Sequence, residues 1–382
     1  MTFIGIGEYQ ETTYRWVTQT HTTRYVAEAL VRFFAPDRVF AVMTEEAVEK
    51  HGEPLAEAIG DFTVIDSHPA TSEEGLWDTA DGILREIPCD KPLIVDITHG
   101  FRSQPLIALA CCAFLRTSKR LTVERIVYGA YEGRDESNVA PIVDCTSFLR
   151  LLDWSNAADI IIRYGDARPL RDIVAESVGK EPVKELRKLK AVAGTLEHLT
   201  AALALIRPAE SLKAARQLAR ETQSGKPIDT MPPHLMPFAV ILERSLGRYG
   251  SMCVPAGISI YARESLPAQA AIIEEYISTE RYVQAVTLAR ESYLTWFCLD
   301  RGLNPADKND RVTGQNLLSE LLKKPRGRSG EKDRQIRYEW EQITSLRNDI
   351  DHAGMHWSAI RAGKAVERVK EVCALAIARL RS

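Results

Sequence analysis

The stretch PLIVDITHGFRSQPLIALA, residues 92–110, joins an apolar strand to a helix through one short polar turn. The apolar run ends at Asp96 or Ile97, and the helical pattern begins near Ser103 or Gln104. Gly100 permits the sharp change of direction between them. A strand that leads directly into a helix is the repeating unit of α/β folds.

The turn in this stretch carries the side chains of an anion site. The free amides at the start of the helix face the space above the strand end. Thr98 and Ser103 supply hydroxyl groups, and Arg102 supplies a positive charge. An ordinary strand-to-helix turn, in which Ser103 serves only as the helix N-cap, is the alternative interpretation.

Outward from this stretch, short apolar runs alternate with helical patterns through the first 145 or so residues. Parallel strands joined by crossover helices give this alternation, so we predict an α/β, Rossmann-like sheet that is mostly parallel and doubly wound. Ligands bind such sheets at the carboxyl ends of the strands. The predicted strands are residues 3–7, 39–43, 62–66, 92–97, 125–131 and 140–144.

After Thr146 the strand signal nearly vanishes, and apolar residues recur at helical spacing. A Pro-rich interruption at residues 225–237 separates the helical pieces. We therefore predict an all-α second half. The expected organisation is an α/β domain over residues 1–148, a helical connector over 149–255 and a helical C-terminal domain over 256–382.

The composition is that of an ordinary globular protein, with 45% hydrophobic and 26% charged residues among 382. The net charge of −3 indicates no overall attraction for nucleic acid, so any polyanion site must be local. The seven cysteines show no metal-ligand spacing, and we predict no metal site and no metal or redox cofactor. The N-terminal residues lack a basic signal segment, and the apolar run LIALACCAFL is too short to span a bilayer. We expect a cytoplasmic protein without a membrane partner.

The loop GIGEYQETTY, residues 5–14, follows the first predicted strand. It begins like a dinucleotide-binding fingerprint, but Gln10 stands at the position of the last glycine, so that pattern fails. Tyr9 and Gln10 could stack on a base or hydrogen-bond to it. A tyrosine-containing surface turn is the alternative.

Four segments of the first half resemble a CRISPR-associated family that is named after its DxTHG motif. The run Asp96–Gly100 matches this motif, and FRSQP follows it directly. GEYQETTY and TEEA, residues 44–47, also look like the family's pattern. The resemblance implies a CRISPR-associated Rossmann fold (CARF) sensor over residues 1–148 and a HEPN ribonuclease over residues 256–382, both of a type III CRISPR system.

In that family the CARF domain binds a cyclic oligoadenylate, which activates RNA cleavage by the HEPN domain. The ring has rotational symmetry, which suits a pocket on the two-fold axis of a homodimer. We expect tetra-adenylate as the activator, with hexa-adenylate as the alternative. The ligand-binding residues that the resemblance implies are Thr98, His99, Gly100, Arg102, Tyr9, Gln10 and Thr44.

The segment TSLRNDIDHAG, residues 344–354, gathers an Arg, an Asn and a His near a helix end. Asn348 and His352 are four residues apart and share one helix face, whereas Arg347 lies about 100° away from Asn348. RNA supplies its own 2′-OH nucleophile, so such a site only has to hold the phosphate and move protons. The R-x4-H spacing also resembles the HEPN catalytic motif, which implies Arg347, Asn348 and His352 as catalytic residues that face their copies in a dimer.

An ordinary helix end would explain the same residues. Arg347 and Asp351 are spaced for an ion pair on the helix surface. His352 is a cation favoured by the dipole at a helix C-terminus.

The segment KKPRGRSGEKDRQIR, residues 323–337, has seven Lys or Arg residues and two acidic residues. Arg326 and Arg328 are candidates for guiding RNA to the catalytic helix. A solvated surface loop is the alternative.

Together these patterns predict a cyclic-oligoadenylate-activated endoribonuclease of type III CRISPR antiviral defence. We expect it to cut single-stranded RNA without a metal and to leave 2′,3′-cyclic phosphate and 5′-OH ends. One alternative is a messenger-binding regulator whose HEPN half only binds RNA or a partner. The other is a CARF domain that itself degrades the messenger, as a ring nuclease.

Overall fold

The structure is a computed structural model that describes residues 1–68, 72–178, 184–222, 235–323, 330–353, 355 and 359–382. The chain divides into two compact units, Met1–Asp153 and Trp154–Ser382. The first is a sheet covered by helices, and the second is helical. The further division at residue 255 stays a prediction.

All six predicted strands are present in the first unit, together with two that were not predicted. Within the described residues the strands are β1 (Thr2–Ile4), β2 (Thr12–Trp16), β3 (Gln19–Thr23), β4 (Phe40–Met43), β5 (Thr63–Asp66), β6 (Leu93–Asp96), β7 (Val123–Gly129) and β8 (Val139–Asp144). The helices among them are α1 (Val26–Phe34), α2 (Glu45–Ile59), α3 (Glu73–Glu86) and α4 (Gln104–Ser118).

The strands form two ladders, in the orders β1-β4-β5 and β3-β2-β8-β7-β6. The backbone amide of Asp96 in β6 donates to the carbonyl of Met1 at 2.8 Å, which joins β6 to the start of β1. The pairs β1–β4, β4–β5, β6–β7 and β2–β8 are parallel, but β2–β3 and β7–β8 are antiparallel. The sheet is therefore mixed: most of its pairs are parallel, as predicted, and it differs from a purely parallel sheet by two antiparallel pairs.

The hairpin of β2 and β3 accounts for part of this difference. Tyr14 of β2 pairs with His21 of β3, and Val17 in the turn between them has a positive φ of 55°. The sequence predicts a loop over residues 5–14 and no strand between residues 7 and 39. Thr and other β-branched residues favour extended backbone, and α1 begins only at Val26, after the Thr-rich strand.

Helices cover both faces of the sheet. Neighbouring residues Ala41 and Val42 of β4 point to opposite faces, because side chains alternate along a strand. Val42 packs with Ile83 of α3 and Leu115 of α4. Ala41 packs in a separate cluster with Leu55 of α2. The prediction of a sheet with helices on both faces is confirmed.

The second unit is built from helices, as predicted. One hydrophobic cluster contains Leu196, Ile272 and Cys373, which come from early, middle and late helices of the unit. The described helices after β8 are α5 (Leu149–Tyr164), α6 (Arg168–Val178), α7 (Lys184–Ala204), α8 (Pro208–Thr222), α9 (Met236–Tyr249), α10 (Leu266–Ser278), α11 (Tyr282–Asp300), α12 (Lys308–Lys323), α13 (Glu331–Asp351) and α14 (Ala362–Arg381). Among the described helices, none combines the length and apolar composition needed to cross a bilayer.

The two units carry opposite net charges. Met1–Asp153 contains 14 Lys and Arg residues against 24 Asp and Glu residues. Trp154–Ser382 contains 35 Lys and Arg residues against 28 Asp and Glu residues. The overall charge of −3 is therefore the sum of an acidic first unit and a basic second unit. A polyanion that approaches the second unit meets a net positive charge.

Candidate functional site

The carboxyl ends of β1 and β6 meet at the point where the strand order reverses. β4 and β5 lie on one side of β1, whereas β6 and β7 lie on the other. Open α/β sheets bind ligands at such reversals. Gly5 follows β1 and Gly100 follows β6, and a Cβ on Gly5 would lie 3.2 Å from the Cα of Gly100. The two loops thus meet backbone to backbone at the predicted ligand site.

A buried carboxylate organises the turn after β6. The Oδ1 of Asp96 accepts from the backbone amide of Thr98 at 2.9 Å and from its hydroxyl at 2.5 Å. Its Oδ2 accepts from the hydroxyl of Thr2 at 2.6 Å. The Thr98 hydroxyl also accepts from the amide of Gly129 at 2.7 Å. Asp96 and Thr98 together therefore link β1, β6 and β7. The predicted contact of Thr98 with a messenger stays a prediction.

Gly100 and Gln104 close the turn together. Gly100 has a positive φ of 101°, and a Cβ at this position would lie 1.9 Å from the Oε1 of Gln104. That oxygen accepts from the amide of Phe101 at 2.9 Å, while the Gln104 amide donates to the hydroxyl of Ser67 at 3.1 Å. Sequence analysis missed this role of Gln104. Ser103 precedes α4 but makes no side-chain cap hydrogen bond.

Two polar atoms in this turn have no hydrogen-bond partner among the described residues. They are the Nε2 of His99 and the Oγ of Ser103, and both atoms are buried. Burial lowers the pKa of His99, which favours the neutral ring, although the nearby Asp96 acts in the opposite direction. Buried polar atoms are normally paired, so these two mark a place where a ligand can bind.

Tyr9 lies against His99, with ring centroids 4.2 Å apart. Its hydroxyl accepts from the Gly5 amide at 2.8 Å and donates to the Gly5 carbonyl at 3.0 Å. Burial raises the pKa of Tyr9 to about 12. The ring also contacts Tyr25 and His51, which are hydrogen-bonded to each other at 2.9 Å. These contacts fix Tyr9 at the strand ends beside His99.

The other predicted ligand residues occupy different positions. The Thr44 hydroxyl caps α2 by accepting from the amide of Ala47 at 3.2 Å. Gln10 and Arg102 have exposed side chains. The structure thus brings Tyr9 and His99 together beside Gly100, gives Thr44 a structural role, and leaves Gln10 and Arg102 facing solvent.

The second candidate site lies at the end of α13. His352 is the C-cap residue of this helix, and its amide donates to the carbonyl of Asn348 at 3.0 Å. Asn348 and His352 are exposed, and Arg347 is half-buried. The predicted residues Arg326 and Arg328 lie outside the described residues.

Arg347 already has partners within its own helix. Its Nη2 lies 2.6 Å from the Oδ2 of Asp351, and its Nη1 donates to the Oδ1 of Asn348 at 3.4 Å. The Nε of Arg347 is buried and has no hydrogen-bond partner among the described residues. The ion pair that formed the alternative interpretation is therefore present, and the guanidinium retains an unused donor.

The buried side of α13 is held by an ion pair two turns before Arg347. The Nη2 of Arg379 lies 2.7 Å from the Oε1 of Glu339, whose Oε2 accepts from the Tyr293 hydroxyl at 2.7 Å. Glu339 is buried, and Tyr293 is completely buried. This network fixes the rotation of α13, and with it the direction of the helix face that carries Arg347. Within the described part of the chain, no group of three His, Cys, Asp or Glu residues is arranged to hold a metal.

Comparison with known proteins gives three findings. No protein-family profile matches the chain. Among solved structures, this chain is similar to Csm6 of Enterococcus italicus bound to cyclic hexa-2′-fluoro-hexa-dAMP, with a TM-score of 0.36 and 13% identity. The similarity covers 93% of this chain and 89% of that one. A CRISPR-associated protein of Methanocaldococcus jannaschii is 26% identical over 120 residues, 31% of this chain and 19% of that protein. The chain thus matches about a fifth of this relative's length. Over about a third of its own length, the chain is similar in sequence to a CRISPR-associated protein.

Proposed function

We propose that the chain is a cyclic-oligoadenylate-activated, metal-independent endoribonuclease of type III CRISPR antiviral defence. One observation carries the proposal: a single chain combines the DITHG turn, at the reversal point of its sheet, with the R-x4-H helix end. The turn bears the unpartnered nitrogen of His99, and the helix end bears the unused Nε of Arg347. The sequence similarity to a CRISPR-associated protein supports it.

The first unit would bind the activator through the turn after β6. The rings of Tyr9 and His99 supply a surface for an adenine base. The His99 Nε2 and the Ser103 hydroxyl supply hydrogen bonds to ribose or phosphate oxygens. This mode of binding requires no basic surface, which agrees with the acidic charge of the unit.

The second unit would cleave single-stranded RNA. Arg347 exchanges its contact with Asp351 for the scissile phosphate. His352 moves the proton of the 2′-OH or of the leaving 5′-oxygen, and Asn348 orients both groups. The 2′-oxygen attacks phosphorus, and the bond to the 5′-oxygen breaks. The products are a 2′,3′-cyclic phosphate and a 5′-OH end, and two copies of this site face each other in a homodimer.

The test is cleavage of a fluorescent single-stranded RNA in EDTA, with and without cyclic tetra-adenylate. Wild-type protein should cut only with the activator. We expect His352→Ala to cut about 10²–10⁴-fold more slowly, because general acid–base catalysis contributes that much. If cyclic tetra-adenylate is inactive, cyclic hexa-adenylate is tested next.

Three outcomes would contradict the proposal. A need for a divalent metal, or products with 5′-phosphate ends, would exclude this mechanism. If the protein binds the cyclic oligoadenylate but never cuts RNA, the chain is instead a messenger-binding regulator.

A second candidate function is cleavage of the activator by the first unit. The neutral imidazole of His99, with its unpartnered buried Nε2, would accept the proton of a ribose 2′-OH. Mass spectrometry of the activator after long incubation with an Arg347→Ala, His352→Ala double variant tests this function. Linear products that disappear when His99→Ala is added would support it, and an intact ring would exclude it.

A further inference from the structure

Two cations outside the R-x4-H motif lie beside its helix end. The backbone amide of Ile360 donates to the Oδ1 of Asp349 at 3.4 Å, which ties the start of α14 to the end of α13. Arg368 of α14 also hydrogen-bonds to Gln342 of α13. Arg361 follows Ile360 directly and is the N-cap residue of α14.

Arg361 and Lys364 have exposed side chains, and neither forms an ion pair with any residue that the structure describes. Lys332 of the same unit, in contrast, lies 2.8 Å from Asp300. The difference leaves Arg361 and Lys364 free to bind an anion from solution.

The position of these cations works against the stability of their own helix. The first turn of a helix favours acidic residues, because the helix dipole is positive there. α14 has no acidic residue in its first turn, and instead begins with Arg361 and Lys364. Residues that break a local rule without a structural gain commonly belong to a functional site.

We infer that Arg361 and Lys364 bind the backbone phosphate of single-stranded RNA next to the phosphate held by Arg347. This inference rests on the proposed function and extends the site from one phosphate to two. A row of cations that follows the backbone is the usual way to bind a single strand without reading its sequence. The basic charge of the whole unit draws the RNA to this surface.

The test compares two charge-matched variants of the full chain. Arg361→Gln with Lys364→Gln removes the proposed contact. Lys308→Gln with Lys370→Gln removes two other exposed cations of the same unit. Both pairs are placed on a His352→Ala background, and binding of a fluorescent single-stranded RNA is followed by anisotropy over a range of salt concentrations. Binding is measured without cleavage, so a failure of the proposed ribonuclease activity leaves this test intact.

We expect the first pair to weaken RNA binding about tenfold at low salt, and the salt dependence to fall by roughly 0.7 in log–log slope for each lost phosphate contact. The control pair should change neither quantity by a comparable amount. Thermal unfolding should show no loss of stability in the first pair, because removal of the two cations relieves the unfavourable dipole interaction. The inference would be overturned if both double variants weakened RNA binding equally. It would also be overturned if the variant at Arg361 and Lys364 bound RNA with unchanged affinity.

Discussion

At the scale of single residues, His99 couples the ligand site to pH. Its ring is held mainly by burial in the neutral form, so its pKa lies below the ordinary value of 6.5. The charge of His51 lowers the pKa further, and that of Asp96 opposes the shift. Below about pH 6.5 the unfolded chain binds a proton that the folded chain does not, so the free energy of unfolding falls as the pH falls.

The prediction concerns His99→Gln, which keeps a polar side chain without a titrating ring. Between about pH 7.5 and 5.5 the wild-type protein should lose more thermal stability than the variant. Thermal unfolding curves at a series of pH values provide the measurement. If the wild-type protein and the variant lose the same thermal stability over this pH range, His99 does not contribute to the pH dependence of stability.

In the proposed mechanism, Asp351 competes with RNA for Arg347. The side chains of Arg347 and Asp351 are 35% and 27% exposed, so their ion pair should contribute only about 0.2–1 kcal/mol to stability. We predict that Asp351→Asn leaves stability nearly unchanged and lowers the KM for RNA, because the guanidinium no longer has to leave a charged partner.

Asp159→Asn is the matched control for this prediction. Asp159 and Arg163 form an ion pair with the same spacing on α5. Steady-state cleavage and thermal unfolding of both variants are the measurements. A higher KM in Asp351→Asn alone would mean that Asp351 positions Arg347 for RNA instead of competing with it.

At the scale of the elements, the strand–turn–helix unit around Gly100 could be predicted because its apolar run and its glycine lie next to each other in sequence. The end of α13 could likewise be predicted, because the helical pattern of the sequence runs directly into Gly354. The β2–β3 hairpin was missed because its residues are mostly polar, and only Tyr14 and two threonines at its ends are deeply buried. The role of Gln104 depends on a hydrogen bond back to Phe101, which no spacing pattern reveals.

Gly100→Ala tests how the turn between β6 and α4 is built. The new Cβ would combine a positive φ with a clash against Gln104. Gly60→Ala is the control, because Gly60 also has a positive φ, of 79°, but nothing within 4 Å of its Cβ position. Gly60 has a ψ of −154°, in a region that is almost restricted to glycine, so the control should lose about 1–3 kcal/mol of its free energy of unfolding from the backbone alone.

We expect Gly100→Ala to be the less stable of the two variants and to lose affinity for cyclic oligoadenylate, while Gly60→Ala retains it. Denaturant unfolding and calorimetric titration of the activator provide the two measurements. Equal stability losses would mean that Gln104 moves aside without cost.

At the scale of the whole molecule, the proposed activator has rotational symmetry, which suits a site shared by two copies of the chain. Leu106 and Phe114 are 70% and 57% exposed and lie two turns apart on α4, the helix that follows the DITHG turn. Their position next to the proposed ligand site makes them candidates for the contact between two copies of the chain. We predict that Leu106→Ser with Phe114→Ser weakens dimer formation and, with it, activation by cyclic oligoadenylate.

Trp77→Ser is the control, because Trp77 is 67% exposed on α3. Sedimentation equilibrium reports the oligomeric state, and cleavage assays over a range of activator concentrations report activation. A double variant that remains dimeric would place the dimer contact elsewhere.

If the first unit binds the proposed activator, its acidic charge also limits which other polyanions can reach the site. Repulsion between this unit and an anion grows with the number of phosphates that must come near it. A ring of four or six phosphates meets only a few such repulsions, whereas cellular RNA brings a long row of them. The excess of acidic residues in Met1–Asp153 would thus sort nucleotides by length, so that abundant RNA does not compete with the rare messenger for the same turn.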